Sequence, residues 1–138
     1  MSYPVPDLNA PDFAPFWRGC RAGVLLVQRC ANGHLGWPPR PACPHCHDLT
    51  RDWVPIEGAG SLYSWTVVHR TPMPEFAPLV PYVVAIVELR AGPVLRMLGR
   101  CLGDPDELRI GMRLAVRFEP VTDQFSLPVW QPVEEEQP

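Results

Sequence analysis

The stretch Arg29–Cys46, RCANGHLGWPPRPACPHC, decides how the rest of the chain reads. It holds three of the five cysteines and two of the four histidines, and the bend Pro38-Pro39-Arg40 lies inside it. Cys43 and Cys46 are separated by two residues. That spacing lets two thiolates converge on one tetrahedral ion while the amides between them turn toward the sulfurs. One such pair is a weak sign of metal. Cys30, upstream of Cys43 and followed by Asn32-Gly33-His34, strengthens it toward a zinc ribbon, although the first half lacks a second cysteine.

Outward from this stretch, the bulk of the chain sets limits. At 138 residues it has the size of one domain, or of a small module plus one core-bearing domain. Hydrophobic residues at 46% and charged residues at 20% describe a globular protein. Nineteen prolines predict short strands, extended connections and few long helices, because each removes a backbone donor and fixes φ. All twelve basic residues are arginine. The net charge of −3 argues against a dedicated nucleic-acid binder, which normally carries a basic excess. No apolar run approaches the roughly 20 residues that span a bilayer. The opening MSYPVPDLNAPDF lacks the basic start and apolar segment of a secretory signal. The expected location is therefore the cytoplasm, where clustered thiols more often bind metal than form disulfides. Cys20 and Cys101 stand alone and read as small buried apolar residues.

Taken in order, residues 13–20 form a one-sided helix, with Asp12 as its cap, Phe13, Phe16, Trp17 and Cys20 on one face, and Gly19 and Gly23 marking its end. Residues 24–28 read as a buried strand and 35–37 as the returning strand of a hairpin. Residues 53–56 are extended, and Gly58 and Gly60 mark a boundary. Beyond it, strands are expected over 61–70, 82–89, 94–101, 112–119 and 127–133, the last edge-like because of its two prolines. Residues 71–81 suit a loop. Asp104-Pro105 opens a single helical turn between the third and fourth of these strands. Five strands with a short helix there are what a small Greek-key barrel of the OB type requires.

In combination these residues resemble a known family. The order is Phe16-Trp17, Gln28-Arg29-Cys30, Gly33-His34, Pro38-Pro39-Arg40 and Cys43-Pro44-His45-Cys46. Then come Ser64-Trp65-Thr66-Val67-Val68-His69-Arg70, Pro81-Tyr82-Val83-Val84-Ala85, Gly111-Met112 and Leu127-Pro128-Val129-Trp130. Nearly the whole chain is similar to the acyl-CoA-associated family, formerly a domain of unknown function, that joins a rubredoxin-like zinc ribbon to an OB fold. The resemblance implies a mainly β protein with a helical segment over 1–23, a ribbon over 24–57, a five-stranded OB barrel over 58–133 and an acidic tail over 134–138. It implies a companion subunit, with no catalytic residues of its own, beside a thiolase, a thiolase-like aldolase or a MaoC-type enoyl-CoA hydratase in lipid or steroid degradation. The CoA thioester is then the substrate of the complex, with no nucleic acid and no membrane as partner. Docking surface is expected on the helix, the loop 71–81 and the last strand.

The family pattern usually has a second cysteine before the Pro-Pro-Arg bend, and here it is missing. His34 is the obvious replacement, so the implied ligand set is Cys30, His34, Cys43 and Cys46 holding zinc, against a metal-free knuckle. His45 and His47 read as surface residues, as do Asp48 and Glu57. His69 with Glu88 or Asp104 is the one imaginable general-base pair, but a histidine ending a strand is more often packed and hydrogen-bonded. Arg70, Arg96, Arg100, Arg113 and Arg117 suit CoA phosphates, and Tyr63 and Trp65 suit either base stacking or a core and interface. Two other readings stay open: a free-standing OB module that binds nucleic acid, and a small zinc-dependent acyl-CoA enzyme.

Overall fold

The structure is a computed structural model that describes residues 3–134. Of the acidic tail, all but Glu134 lies outside the described residues. The chain opens with α1 (Ala14–Ala22), whose N-cap is Phe13 with no side-chain cap. Asp12 therefore does not cap the helix. The first turn is instead tied down by the backbone, as the N–H groups of Phe13 and Ala14 donate to the carbonyl of Ala10. Pro15 costs nothing there, because the first helical amides have no intrahelical acceptor. Gly23 ends the helix at φ 78°, a conformation that glycine adopts without strain. Gly19 does not end it: it lies within α1, and a Cβ there would come within 2.7 Å of the Val24 carbonyl and 2.9 Å of Leu26. Its role is close approach of helix and strand.

Three short strands, β1 (Leu25–Arg29), β2 (Leu35–Gly36) and β3 (Asp52–Ile56), form an antiparallel sheet in the order β2-β1-β3. The remaining strands are β4 (Ala59–Val68), β5 (Tyr82–Arg90), β6 (Val94–Cys101), β7 (Arg113–Pro120) and β8 (Ser126–Pro132). They close a barrel in the order β4-β5-β6-β8-β7, with β7 returning to β4. That is the five-stranded Greek-key connection of the OB fold, including one parallel contact, β6 to β8. The single turn between β6 and β7 forms at Pro105–Glu107, where the Asp104 carboxylate accepts from the Asp106 N–H at 2.9 Å. Residues 74–79, expected as loop, wind into a 3₁₀ turn.

The last strand departs from expectation. β8 is no edge: it lies between β6 and β7, and Val129 and Trp130 are fully buried. Its prolines are tolerated because β6 and β8 pair only at Cys101 and Trp130, which leaves few ladder donors to lose on that side. In β5 the alternation puts Val83, Ala85, Val87 and Leu89 inside the barrel. A bulge in β4 between Leu62 and Ser64 leaves both Tyr63 and Ser64 exposed. Phe16 and Cys20 of α1, Leu25 and Val27 of β1 and the barrel interior belong to one continuous apolar cluster. Helix, ribbon and barrel are thus packed as one body. No helix among the described residues is long and apolar enough to cross a membrane.

Candidate functional site

The four expected ligands come together. Each of the two loops supplies a pair. In the first, Cys30 N–H donates to the His34 carbonyl and Gly33 N–H to the Cys30 carbonyl, a tight turn that needs Gly33 at φ 84°. His34 N–H then points at Cys30 Sγ, 3.3 Å away. In the second, His47 N–H donates to the Cys43 carbonyl, Cys43 N–H to the Asp48 carbonyl, and His45 N–H approaches Cys43 Sγ at 3.4 Å. The ligand atoms of Cys30, His34, Cys43 and Cys46 all lie within 4.8 Å of one another.

The separations test whether one ion fits. With Zn–S near 2.3 Å and Zn–N near 2.0–2.1 Å, a tetrahedron has S···S edges of about 3.8 Å and S···N edges of about 3.6 Å. Cys30 Sγ to Cys46 Sγ is 3.7 Å, Cys30 Sγ to His34 Nδ1 is 3.4 Å, and Cys43 Sγ to His34 Nδ1 is 3.6 Å. Three thiolates and one imidazole therefore fit zinc, with Nδ1 as the histidine donor, and they leave no vertex for water. Such a closed set is structural rather than catalytic.

The surroundings favour thiolate at Cys46 and Cys43. The Asn32 side-chain amide donates to Cys46 Sγ at 3.3 Å and, with the Asp48 N–H, holds the Cys46 thiol below its ordinary pKa. Burial would raise Cys43, but the N–H groups of Cys46 and His45 outweigh it and lower the thiol. Burial pushes Cys30 up. Asp48 is more than the surface residue expected: its carboxylate accepts from Ala31 N–H at 2.7 Å and Thr50 N–H at 3.3 Å, and those contacts lower its pKa. It bridges the two loops. The readable signal was an Asp two residues before Thr50 and just past the knuckle, where such side chains fold back on the backbone. Asp48→Ala is expected to lower zinc affinity about 10- to 100-fold, the usual cost of losing a group that orients ligands, with competition against a chromophoric chelator as the measurement. His45 and His47 are exposed as expected, although the His45 ring lies 5.2 Å from that of His34.

The other candidates stay apart from this centre. His69 is exposed, Glu88 pairs with Arg96 at 3.7 Å, and Asp104 is occupied as a cap. Arg100 pairs with Glu119 at 3.2 Å, and Arg96 covers the Tyr63 ring at 4.0 Å from its centroid. Arg70, Arg113 and Arg117 face solvent. The isolated thiols Cys20 and Cys101 are buried, and burial lifts Cys20 to about 12.

A second feature had no direct signal in the sequence. A cleft of about 450 Å³ opens where α1, the ribbon and the barrel meet. Phe13, Phe16 and Trp17 enter it from α1, Trp37 from the end of β2, and Phe76 and Tyr82 from the barrel side. Phe16 packs against Trp37 at 4.6 Å and against Trp17 at 5.0 Å. Tyr3 lies edge-on to Phe76 at 5.3 Å, and Arg100 is the charged group in the wall.

Two family models match, "ChsH2, rubredoxin-like zinc ribbon domain" over residues 17–50 and "ChsH2, C-terminal OB-fold domain" over residues 53–119. A "DUF35 domain-containing scaffold protein" of Pyrococcus furiosus is 36% identical over 72% of this chain and 72% of its own length. The chain belongs to the DUF35 family. Within it, a "3-oxo-4,17-pregnadiene-20-carboxyl-CoA hydratase alpha subunit" of Mycobacterium tuberculosis is 38% identical over 91% of this chain. The match spans only 39% of that subunit's length, and 40% of a probable enoyl-CoA hydratase alpha subunit of Thermomonospora curvata. Among solved structures, a chain of an "Ltp2-ChsH2(DUF35) aldolase" superposes with a TM-score of 0.81 at 36% identity, covering 93% of this chain and 98% of that one.

Proposed function

We propose that this chain is a non-catalytic companion subunit of an acyl-CoA-transforming complex, seated beside a thiolase-fold aldolase or a MaoC-type hydratase in the cytoplasm. It stabilises that partner and shapes the site for the CoA thioester. The observation that carries this reading is the aromatic cleft: about 450 Å³, walled by rings and bordered by one arginine. Clefts of about 300–1,000 Å³ lined by apolar groups with few polar ones are the usual form of small-molecule sites. Tilted and edge-on rings give an apolar acyl group a rigid wall at little entropic cost. The elements around it, α1, the 74–79 turn and β8, are those expected as docking surface, so acyl group and partner meet at one place. Cys30, His34, Cys43 and Cys46 hold a structural zinc that fixes Trp37 in this wall. Similarity to one chain of an aldolase assembly and to part of hydratase alpha subunits supports the same reading.

The test is co-expression with the thiolase-fold or MaoC-type subunit encoded beside it. The two chains should elute together at a fixed ratio. Trp37→Ala should reduce acyl-CoA turnover of the complex while zinc content stays unchanged. A tagged chain that elutes alone, retains no larger enzyme and shifts single-stranded oligonucleotides would overturn the proposal.

A further inference from the structure

The ribbon carries a polar arrangement that neither the metal centre nor the cleft uses. Gln28, 6% exposed, is the one buried polar or charged residue among the described residues. Its Oε1 accepts from Arg40 N–H at 2.8 Å, from Arg51 Nη2 at 2.8 Å and from Arg51 Nε at 3.2 Å. Gly36 faces Gln28 across β1 and β2, and a Cβ on it would lie 3.1 Å from Arg51 Nη2. The guanidinium thus fills a slot that a larger residue at 36 would crowd. Arg51 Nη1 is buried with no hydrogen-bond partner among the described residues. None of the carboxylates described there lies within 4.0 Å of Arg51, so no ion pair neutralises it. Arg51, Arg40, Gln28 and Trp53 share the wall of a pocket of about 390 Å³, with Asp12 the one acidic residue in it.

A guanidinium stays charged at any pH the fold tolerates. Setting it partly out of water is costly unless charge or hydrogen bonds compensate. Gln28 satisfies two of its N–H groups and fixes its plane, but a neutral amide supplies no counter-charge. A strut between the bend and β3 needs only the hydrogen bonds. A guanidinium with no carboxylate within 4.0 Å among the described residues, beside a second arginine in the wall of one pocket, goes further, because planar forks pair with oxyanions through charge-assisted bonds.

We propose that this pocket is an oxyanion site, taking the phosphate or carboxylate group of a soluble ligand against Arg51, with Arg40 as the second cation. The assignment does not depend on the companion-subunit reading. It is tested on the full chain by following the Arg51 Nε–H and Trp53 indole N–H resonances during titration with inorganic phosphate and, separately, acetate. At least one anion should produce saturable shifts at both groups, with half-saturation in the millimolar range, and the stronger of the two names the chemistry. Because Arg51 also ties the bend to β3, the exposed Arg40 carries the mutational test. Arg40→Ala should weaken binding about tenfold, equivalent to about 1.4 kcal/mol, and Asp12→Asn should tighten it. Shifts that grow without saturation, that spread equally over exposed Arg113 and Arg117, or that Arg40→Ala leaves unchanged would overturn it.

Discussion

Cys43→Ser is expected to strip one zinc per chain and to unfold the ligand loops of the ribbon. Cys43 is 1% exposed, and its Sγ lies 3.6 Å from His34 Nδ1 in a set whose spacings match a tetrahedron around one ion. The sheet it anchors is small, because β2 has two residues and β1 and β3 have five each. Its strands pack on the common apolar cluster, but the two loops that carry the ligands have no such support and should lose their structure without the ion. A site saturated a thousandfold above its dissociation constant adds about 4 kcal/mol, so its loss should lower Tm by roughly 15 °C in a chain of this size. Elemental analysis and calorimetry read the two effects. His34 makes the prediction specific to this chain. His34→Cys should retain the metal as a four-thiolate site, whereas His34→Ala should weaken it and open a vertex to solvent. Cobalt substitution distinguishes these by its visible absorption. Purified protein without zinc, together with a Cys43→Ser variant of unchanged stability, would remove the metal centre from the account.

How far this was legible in the sequence depends on the distance over which each feature is encoded. The knuckle spacing is local, so Cys43-x-x-Cys46 with Cys30 upstream stood out in the sequence alone, whereas His34 was named only through the family resemblance, as the replacement for its missing cysteine. The structure brings those four atoms together. Strand periodicity is also local, and all five barrel strands lie where alternation and β-branched runs put them, within a few residues at each end. β8 was misread because proline statistics describe a strand alone. Whether a missing N–H matters depends on the neighbour, and here the neighbour is a single parallel pair with β6. Gly19 was misread for the same kind of reason: its meaning lies in Val24 and Leu26 against it, not in helix propensity. The aromatic cleft lay furthest from view. Its rings come from residue 3 to residue 82, and no window of sequence shows that Trp37 meets Phe16.

Trp130→Ala should be the most destabilising single change in the barrel. Trp130 is 0% exposed and is the largest fully buried side chain among the described residues. Its backbone forms the only β6–β8 register pair, with Cys101, and its carbonyl accepts from Leu102 N–H at 2.7 Å. The ring lies over Gly99 of β6, where a Cβ would come within 2.9 Å of Trp130 Cδ1. β6 and β8 are thus held together as much by an indole seated on a glycine as by hydrogen bonds. Truncation of a buried aromatic costs about 3–5 kcal/mol, from lost burial and from the cavity left behind. The upper end applies here, since rigid strands on both sides cannot collapse into the space. Gly99→Val attacks the same contact from the other side, by forcing the strands apart. Denaturant unfolding should show both variants shifted to lower midpoints. Zinc content should stay the same in the folded fraction, since the ribbon ligands lie on other elements. A Trp130→Ala midpoint within about 1 kcal/mol of the parent would mean that the barrel is closed by its backbone ladders alone.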